Sequence, residues 1–145
     1  TGLGLYGGAG NDTTRGGAYV TWHEGGQGND TMFGGSSLDY YLFSGGNLGA
    51  DTIVDTAGQN NALQFSDFAG PVTVNLGLTA PQVVNAGNLT LTLTGVDNVI
   101  GSAFADSITG NANSNILLGM GGNDVLVGRG GDDFLYGGAG NDLLA

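Results

Sequence analysis

The stretch GSAFADSIT-GNANSNILL-GMGGNDVLV-GRGGDDFLY-GGAGNDLLA, residues 101–145, divides without remainder into five nonapeptides. Each begins with glycine: Gly101, Gly110, Gly119, Gly128 and Gly137. Position six holds Asp106, Asn115, Asp124, Asp133 and Asp142 in turn. Position eight is always aliphatic: Ile108, Leu117, Leu126, Leu135 and Leu144. A nine-residue unit is too short to bury a core alone, so units held in register over five copies must stack on one another.

Working outward, the phase extends back to Thr92, with Asp97 and Val99 at the matching places. A first array occupies residues 7–42 as GGAGNDTTR, GGAYVTWHE, GGQGNDTMF and GGSSLDYYL. It places Asp12, Asp30 and Asp39 at position six. Two of its copies are degraded: Thr21 replaces the aspartate of the second, and Thr14 and His23 stand at inward positions of the first and second. After an irregularity at Phe43–Gly45, GNLGADTIV restores the pattern with Asp51 and Ile53, and DTAGQNNAL continues it weakly. Residues 62–91 break the period. Their runs ALQFSDF, VTVNL and NLTLTL alternate, are β-branched and are bounded by Gly, Pro and Asn, as ordinary strands are. The sequence thus predicts a first array over 1–61, a strand-rich interlude over 62–91 and a second array over 92–145. Because the chain opens on TGLGLYGG and stops on DLLA, both inside a repeat, it reads as a piece of a longer polypeptide.

Composition narrows the partners. Thirteen acids face two arginines, for a formal net charge of −11, and lysine is absent. Nucleic acid and anionic membrane both want a basic surface, so neither is expected to bind. No apolar run reaches transmembrane length. With no cysteine there is neither a disulfide scaffold nor a thiolate zinc site. Of the thirteen acids, twelve are Asp, and nine of those fall at position six of a repeat. A short carboxylate at fixed spacing points to metal ligation rather than to a generic solvated surface.

The pattern GGxGxDxUx resembles that of the RTX (repeats-in-toxin) family. The resemblance implies an all-β fold, a parallel β-roll in two arrays separated by the strand-rich interlude. Each unit would be a six-residue turn and a three-residue strand, and two units would make one coil. It also implies several Ca²⁺ ions, each held between turns eighteen residues apart by carboxylates and backbone carbonyls. The matched pairs are Asp12 with Asp30, Asp106 with Asp124 and Asp124 with Asp142 on one edge. On the other, Asn115 pairs with Asp133, and Asp97 lies next to Asn115. Asp39 and Asp51 occupy equivalent places. The turn glycines Gly7, Gly10, Gly25, Gly28, Gly119, Gly121, Gly128, Gly130, Gly137 and Gly140 would supply the tight bends. The best site would lie between 119–124 and 137–142, and Asn115, offering a neutral oxygen, would weaken the sites it touches. Ca²⁺ accepts six to eight oxygens at roughly 2.3–2.6 Å, whereas Mg²⁺ demands a stricter octahedron.

The family further implies a secreted bacterial protein exported by a type I route and placed outside the cell. Lacking a catalytic constellation, the chain reads as a non-enzymatic structural segment of a surface-layer or adhesin-type protein that folds, and in some cases assembles, on calcium. The alternative is a non-catalytic module of a secreted hydrolase, epimerase or toxin, supporting export and stability.

Other readings are weaker. No glycine-rich loop leads into a helix, and aspartate stands where a phosphate would be repelled. Trp22, His23 and Glu24 cluster, but one histidine without a placed partner is more often a packed residue than a catalyst. Asp132 reads as a solvated neighbour of Asp133. One feature is unusual: in the second array Ile116, Leu118, Phe134 and Tyr136, and on the other sheet Val125, Val127 and Leu143, stand at outward positions. Either the 62–91 strands cover one of these faces or a face is an assembly surface.

Overall fold

A computed structural model describes residues 2–57 and 60–145. Positions 58 and 59 of the weak repeat DTAGQNNAL lie outside the described residues. Among the described residues there is no helix, and sixteen strands, numbered in chain order, form two facing layers. One layer is a single seven-stranded sheet. In order, it contains β1 (Leu3–Ala9), β3 (Thr21–Gln27), β5 (Asp39–Leu42), β7 (Ala62–Gln64), β11 (Asn98–Ile100), β13 (Ile116–Gly121) and β15 (Phe134–Ala139). All its pairings are parallel. The facing layer is divided. Its first part runs β2 (Thr13–Arg15), β4 (Thr31–Phe33), β6 (Gly49–Val54), β10 (Leu89–Thr94), β9 (Gln82–Asn85). Its second runs β8 (Thr73–Asn75), β12 (Ser107–Thr109), β14 (Val125–Val127), β16 (Leu143–Leu144). The chain is thus a β-solenoid, as the nonapeptide pattern predicts.

Register follows the repeat. Leu3 lies beside Thr21, Val99 beside Leu117, and Leu117 beside Leu135, each pair eighteen residues apart. Position eight points into the gap between layers: Ile108, Leu117 and Leu126 have no exposed surface. Burying each such side chain contributes about 1.5–3 kcal/mol. Leu135 is half-buried and Leu144, in the last turn, is exposed.

The 62–91 stretch joins the roll on both layers. β7 inserts between β5 and β11, pairing Leu63 with Tyr41 and with Val99. β8 begins the second part of the facing layer, while β9 folds antiparallel onto β10, which lies parallel to β6. Between β8 and β9 there is no backbone ladder. Instead Asn75 N–H donates to Gln82 Oε1 (2.7 Å) and Gln82 Nε2 donates to Asn75 O (3.1 Å), so a side-chain amide stands in for a peptide group. The longer connections here also deepen the core, where Phe43 stacks on Phe65 (5.1 Å) and Phe68 meets Phe65 edge-on (5.7 Å). None of these strands covers the outer face of β13 and β15, where Phe134 and Tyr136 are 58% and 57% exposed.

The core of the first array is more polar. His23 and Thr14 do point inward, and Thr14 Oγ1 and His23 Nδ1 are hydrogen-bonded at 2.7 Å. His23 stacks on Tyr41, whose hydroxyl donates to Asp55 (2.8 Å).

Candidate metal centre

The turns 7–12, 25–30, 46–51, 119–124, 128–133 and 137–142 bend through residues of positive φ at positions two and four. In GGAGND these are Gly138 (φ 101°) and Gly140 (φ 143°). Met120 and Arg129 occupy position two with φ 77°, a region L-residues rarely adopt. The glycine at position one serves a different purpose. Gly7, Gly25, Gly119, Gly128 and Gly137 lack positive φ, but a Cβ there would strike the carboxylate of the same turn. Around Gly7 it would meet Asp12 Oδ2 at 2.9 Å and also the Gly25 carbonyl of the next turn. At Gly7 and Gly119 the space so kept open is bounded by both a carboxylate oxygen and a backbone carbonyl of the next turn. Gly121 and Gly130, at position three, have room for ordinary contact at 3.7 Å.

The turns leading into the divided layer form one edge of the roll, and their aspartates make a ladder. Asp12 N–H donates to Asp30 Oδ1, Asp106 N–H to Asp124 Oδ1 and Asp124 N–H to Asp142 Oδ1, at 2.8, 2.8 and 2.9 Å. Asp30 N–H donates to Asp51 Oδ1 (2.8 Å) across a 21-residue step. The pairs expected eighteen residues apart are therefore stacked neighbours. The second oxygen differs: Asp12 Oδ2, Asp30 Oδ2 and Asp124 Oδ2 are buried with no hydrogen-bond partner. Buried carboxylate oxygens are normally paired, and leaving one bare is expensive. Electrostatics agree. Burial first, and the neighbouring Asp142 second, push the Asp124 carboxyl above its usual range. Burial, reinforced by the Asp30 charge, pushes Asp51 up to about 7.

Such a ladder fits a hard cation. Bare carboxylate oxygens lie next to backbone carbonyls, with no nitrogen or sulfur donor, which is the oxygen set Ca²⁺ takes. Among the described residues no group of three or more His, Cys, Asp or Glu gathers as a metal cluster. Carbonyls must then supply most ligands at any site, which disfavours zinc. Asp12, Asp30 and Asp124 are the residues that would hold an ion. Bound there, Ca²⁺ would neutralise the stacked carboxylates and tie each turn to the next. Asp106 is already satisfied: Ser102 N–H reaches its Oδ2 (2.6 Å), and Ser102 Oγ and Val72 N–H reach its Oδ1 (both 2.8 Å).

The opposite edge, leading into the seven-stranded sheet, mixes carboxylates with amides. The residues that enter its strands run Thr21, Asp39, Asn61, Asp97, Asn115 and Asp133. Asp39 N–H donates to Asn61 Oδ1 (2.9 Å), and Asn115 N–H to Asp133 Oδ1 (2.9 Å). Asn115 Oδ1 accepts from Asn111 N–H in its own turn (2.8 Å). Asp39 Oδ2 likewise accepts from Gly35 N–H (2.6 Å), while its Oδ1 lies 3.8 Å from His23 Nε2. Burial lowers the His23 pKa, so the ring is neutral near pH 7 despite Asp39.

Sequence reasoning missed several participants. Asn at position five forms an outer rung of its own: Asn29 N–H donates to Asn11 Oδ1 and Asn141 N–H to Asn123 Oδ1, both at 2.9 Å. The repeated Asn-Asp dipeptides were a visible signal for it. Asn61, Asn98 and Ser102 carried no such signal.

A family model for the RTX calcium-binding nonapeptide repeat, four copies, matches residues 5–18, 24–47, 92–126 and 109–144, well over half of the chain. Comparison with curated proteins finds no match. With its solenoid, its stacked aspartate turns and these matched repeats, the chain belongs to the RTX family of calcium-binding nonapeptide-repeat proteins.

Proposed function

We propose that this chain is a calcium-folded structural segment of a secreted bacterial surface protein, of surface-layer or adhesin type. Calcium enters along the aspartate ladder, at Asp12, Asp30, Asp124 and their neighbours, and closes turns that are electrostatically open without it. The segment lies outside the cell, where calcium is abundant, having left the low-calcium cytoplasm unfolded. The roll itself performs no catalysis; it builds and presents a rigid face.

The observation that supports a surface role over an enzyme's export module is the outer face of the seven-stranded sheet. Ile116 and Leu118 on β13 pair with Phe134 and Tyr136 on β15, forming an apolar patch in which Leu118 is half-buried and Ile116, Phe134 and Tyr136 are exposed. A patch of this kind suits contact with further protein. A calcium titration followed by circular dichroism and size-exclusion light scattering tests the proposal. Cooperative gain of β signal with growth into large species is the expected result. A clean calcium-folded monomer would shift the role toward a stabilising module of an enzyme or toxin. Equal β signal in chelator and in calcium would remove calcium as the folding trigger.

A further inference from the structure

The two edges of the roll treat the gap between stacked turns differently, and Asn115 shows how. Its side chain is 1% exposed. Nδ2 donates to the Asp97 backbone carbonyl of the preceding coil (2.7 Å) and to Asn111 Oδ1 of its own turn (3.2 Å). Oδ1 accepts the Asn111 N–H. This orientation is fixed by its partners, because the reversed amide would set an oxygen against the Asp97 carbonyl and an NH₂ against an N–H donor. The amide hydrogens therefore face two oxygens, the Asp97 carbonyl and the Asn111 side-chain oxygen, while at the next level the Asn115 backbone N–H donates to the Asp133 carboxylate. The Asp97 carboxylate has its own donors, Asn60 N–H at 3.2 Å and Asn113 Nδ2 at 3.5 Å. Among the described residues at this level, none has a bare oxygen like Oδ2 of Asp12, Asp30 or Asp124.

We infer that the Asn115 amide takes the place a cation would hold between the turns ending at Asp97 and Asn115, so that this level of the roll is closed without metal. The inference rests on the calcium reading above and divides the chain into turns that require the ion and a turn that carries its own substitute. Physically, the NH₂ delivers partial positive charge to the two oxygens it faces, and it does so without the desolvation a full cation would undergo. A carboxylate at residue 115 would reverse this. One of its oxygens would keep the Asn111 N–H, but the other would face the Asp97 carbonyl and the Asn111 side-chain oxygen without a donor, an oxygen cage that calls for Ca²⁺.

The test is Asn115→Asp, with calcium per chain counted by native mass spectrometry and thermal melts run in calcium and in chelator. The expected result is one more Ca²⁺ per chain than in the unsubstituted protein, with a melting temperature lowered in chelator and recovered in calcium. An unchanged ion count overturns the inference, and so does a variant that fails to fold in millimolar calcium. Asn115→Ala separates a mere loss of hydrogen bonds. It should melt lower in both conditions and gain no ion, and a gain there would also overturn the assignment. If the unsubstituted chain binds no calcium at all, it is the calcium reading that fails.

Discussion

The two edges of this roll descend from the same nonapeptide yet solve one problem in two ways. On the ladder edge, Asp30 and Asp124 each accept a backbone N–H through one oxygen and leave the other bare, and Asp12 Oδ2 is bare as well. On the opposite edge Asp39 Oδ1 is also bare, but Asn61 and Asn115 stand where carboxylates could: the Asn61 amide accepts and donates between turns, and the Asn115 amide donates to the neighbouring coil while accepting within its own turn. A carboxylate can only accept, so a stack of them needs an outside positive partner. An amide is its own partner. An aspartate turn escapes that dependence only where protein donors reach both oxygens, as Ser102 and Val72 do at Asp106.

The largest expected effect comes from removing calcium. At a free concentration about a hundredfold above Kd, each bound ion contributes about 2.7 kcal/mol to the folded state. Chelation should abolish or greatly lower the thermal transition. Hydrogen exchange should show protection lost around Asp12, Asp30 and Asp124 before Asn61 and Asn115. Uniform loss along both edges would erase the distinction drawn between them.

Single substitutions come next. Asn61→Ala leaves Asp39 N–H without its acceptor and should destabilise by about 1–3 kcal/mol in chelator and calcium alike. Asp30→Ala should be destabilising chiefly in calcium, since without the ion it also removes a buried charge beside Asp51. Melts of both variants in both media check this. Equal penalties for Asp30→Ala in the two media would place that residue with the amides.

The metal-free ladder should also respond to protons. Asp51 has a folded pKa of about 7 against a usual 3.8, so the folded state holds the proton more tightly. Its contribution to stability is then complete below the unfolded value and is lost as pH rises through about 7. In chelator, the melting temperature should climb as pH falls from about 8 toward 6.5, and Asp51→Asn should flatten that slope. His23 acts oppositely below its usual 6.5, because burial has lowered its pKa. Calcium, by replacing the proton, should remove the dependence.

The smallest effect on stability is expected from Phe134→Ser with Tyr136→Thr, within about 0.5 kcal/mol for exposed positions. Its readout is light scattering, where loss of large species would locate assembly on the seven-stranded sheet.

Much of this architecture was legible in the sequence because period nine constrains every level at once. Glycine sets the bend, position six the edge and position eight the core, and each of these agrees across the second array. What escaped was what the period does not encode. A repeat phased from Asp55 puts Asn60 at position six, 21 residues beyond Asp39, yet Asn61 takes Asp39 N–H, because the step there is 22 residues. The pairing of β10 with β6 spans forty residues, and no local pattern announces it. Position-one glycine read as a backbone requirement, whereas it is a requirement for space beside a carboxylate, visible only once turns are stacked.

The junction at Gln82 has a mechanical consequence. One wall of the roll passes through the middle of the molecule as an unbroken sheet, while the other is jointed, with Gln82 bridging β8 and β9 through hydrogen bonds to Asn75. A beam with one continuous and one jointed wall is stiff against stretching but yields to bending in a single direction, opening on the jointed side. Strung into a longer array, such segments would flex at a defined point and in a defined plane, as links of a chain rather than as a rigid rod.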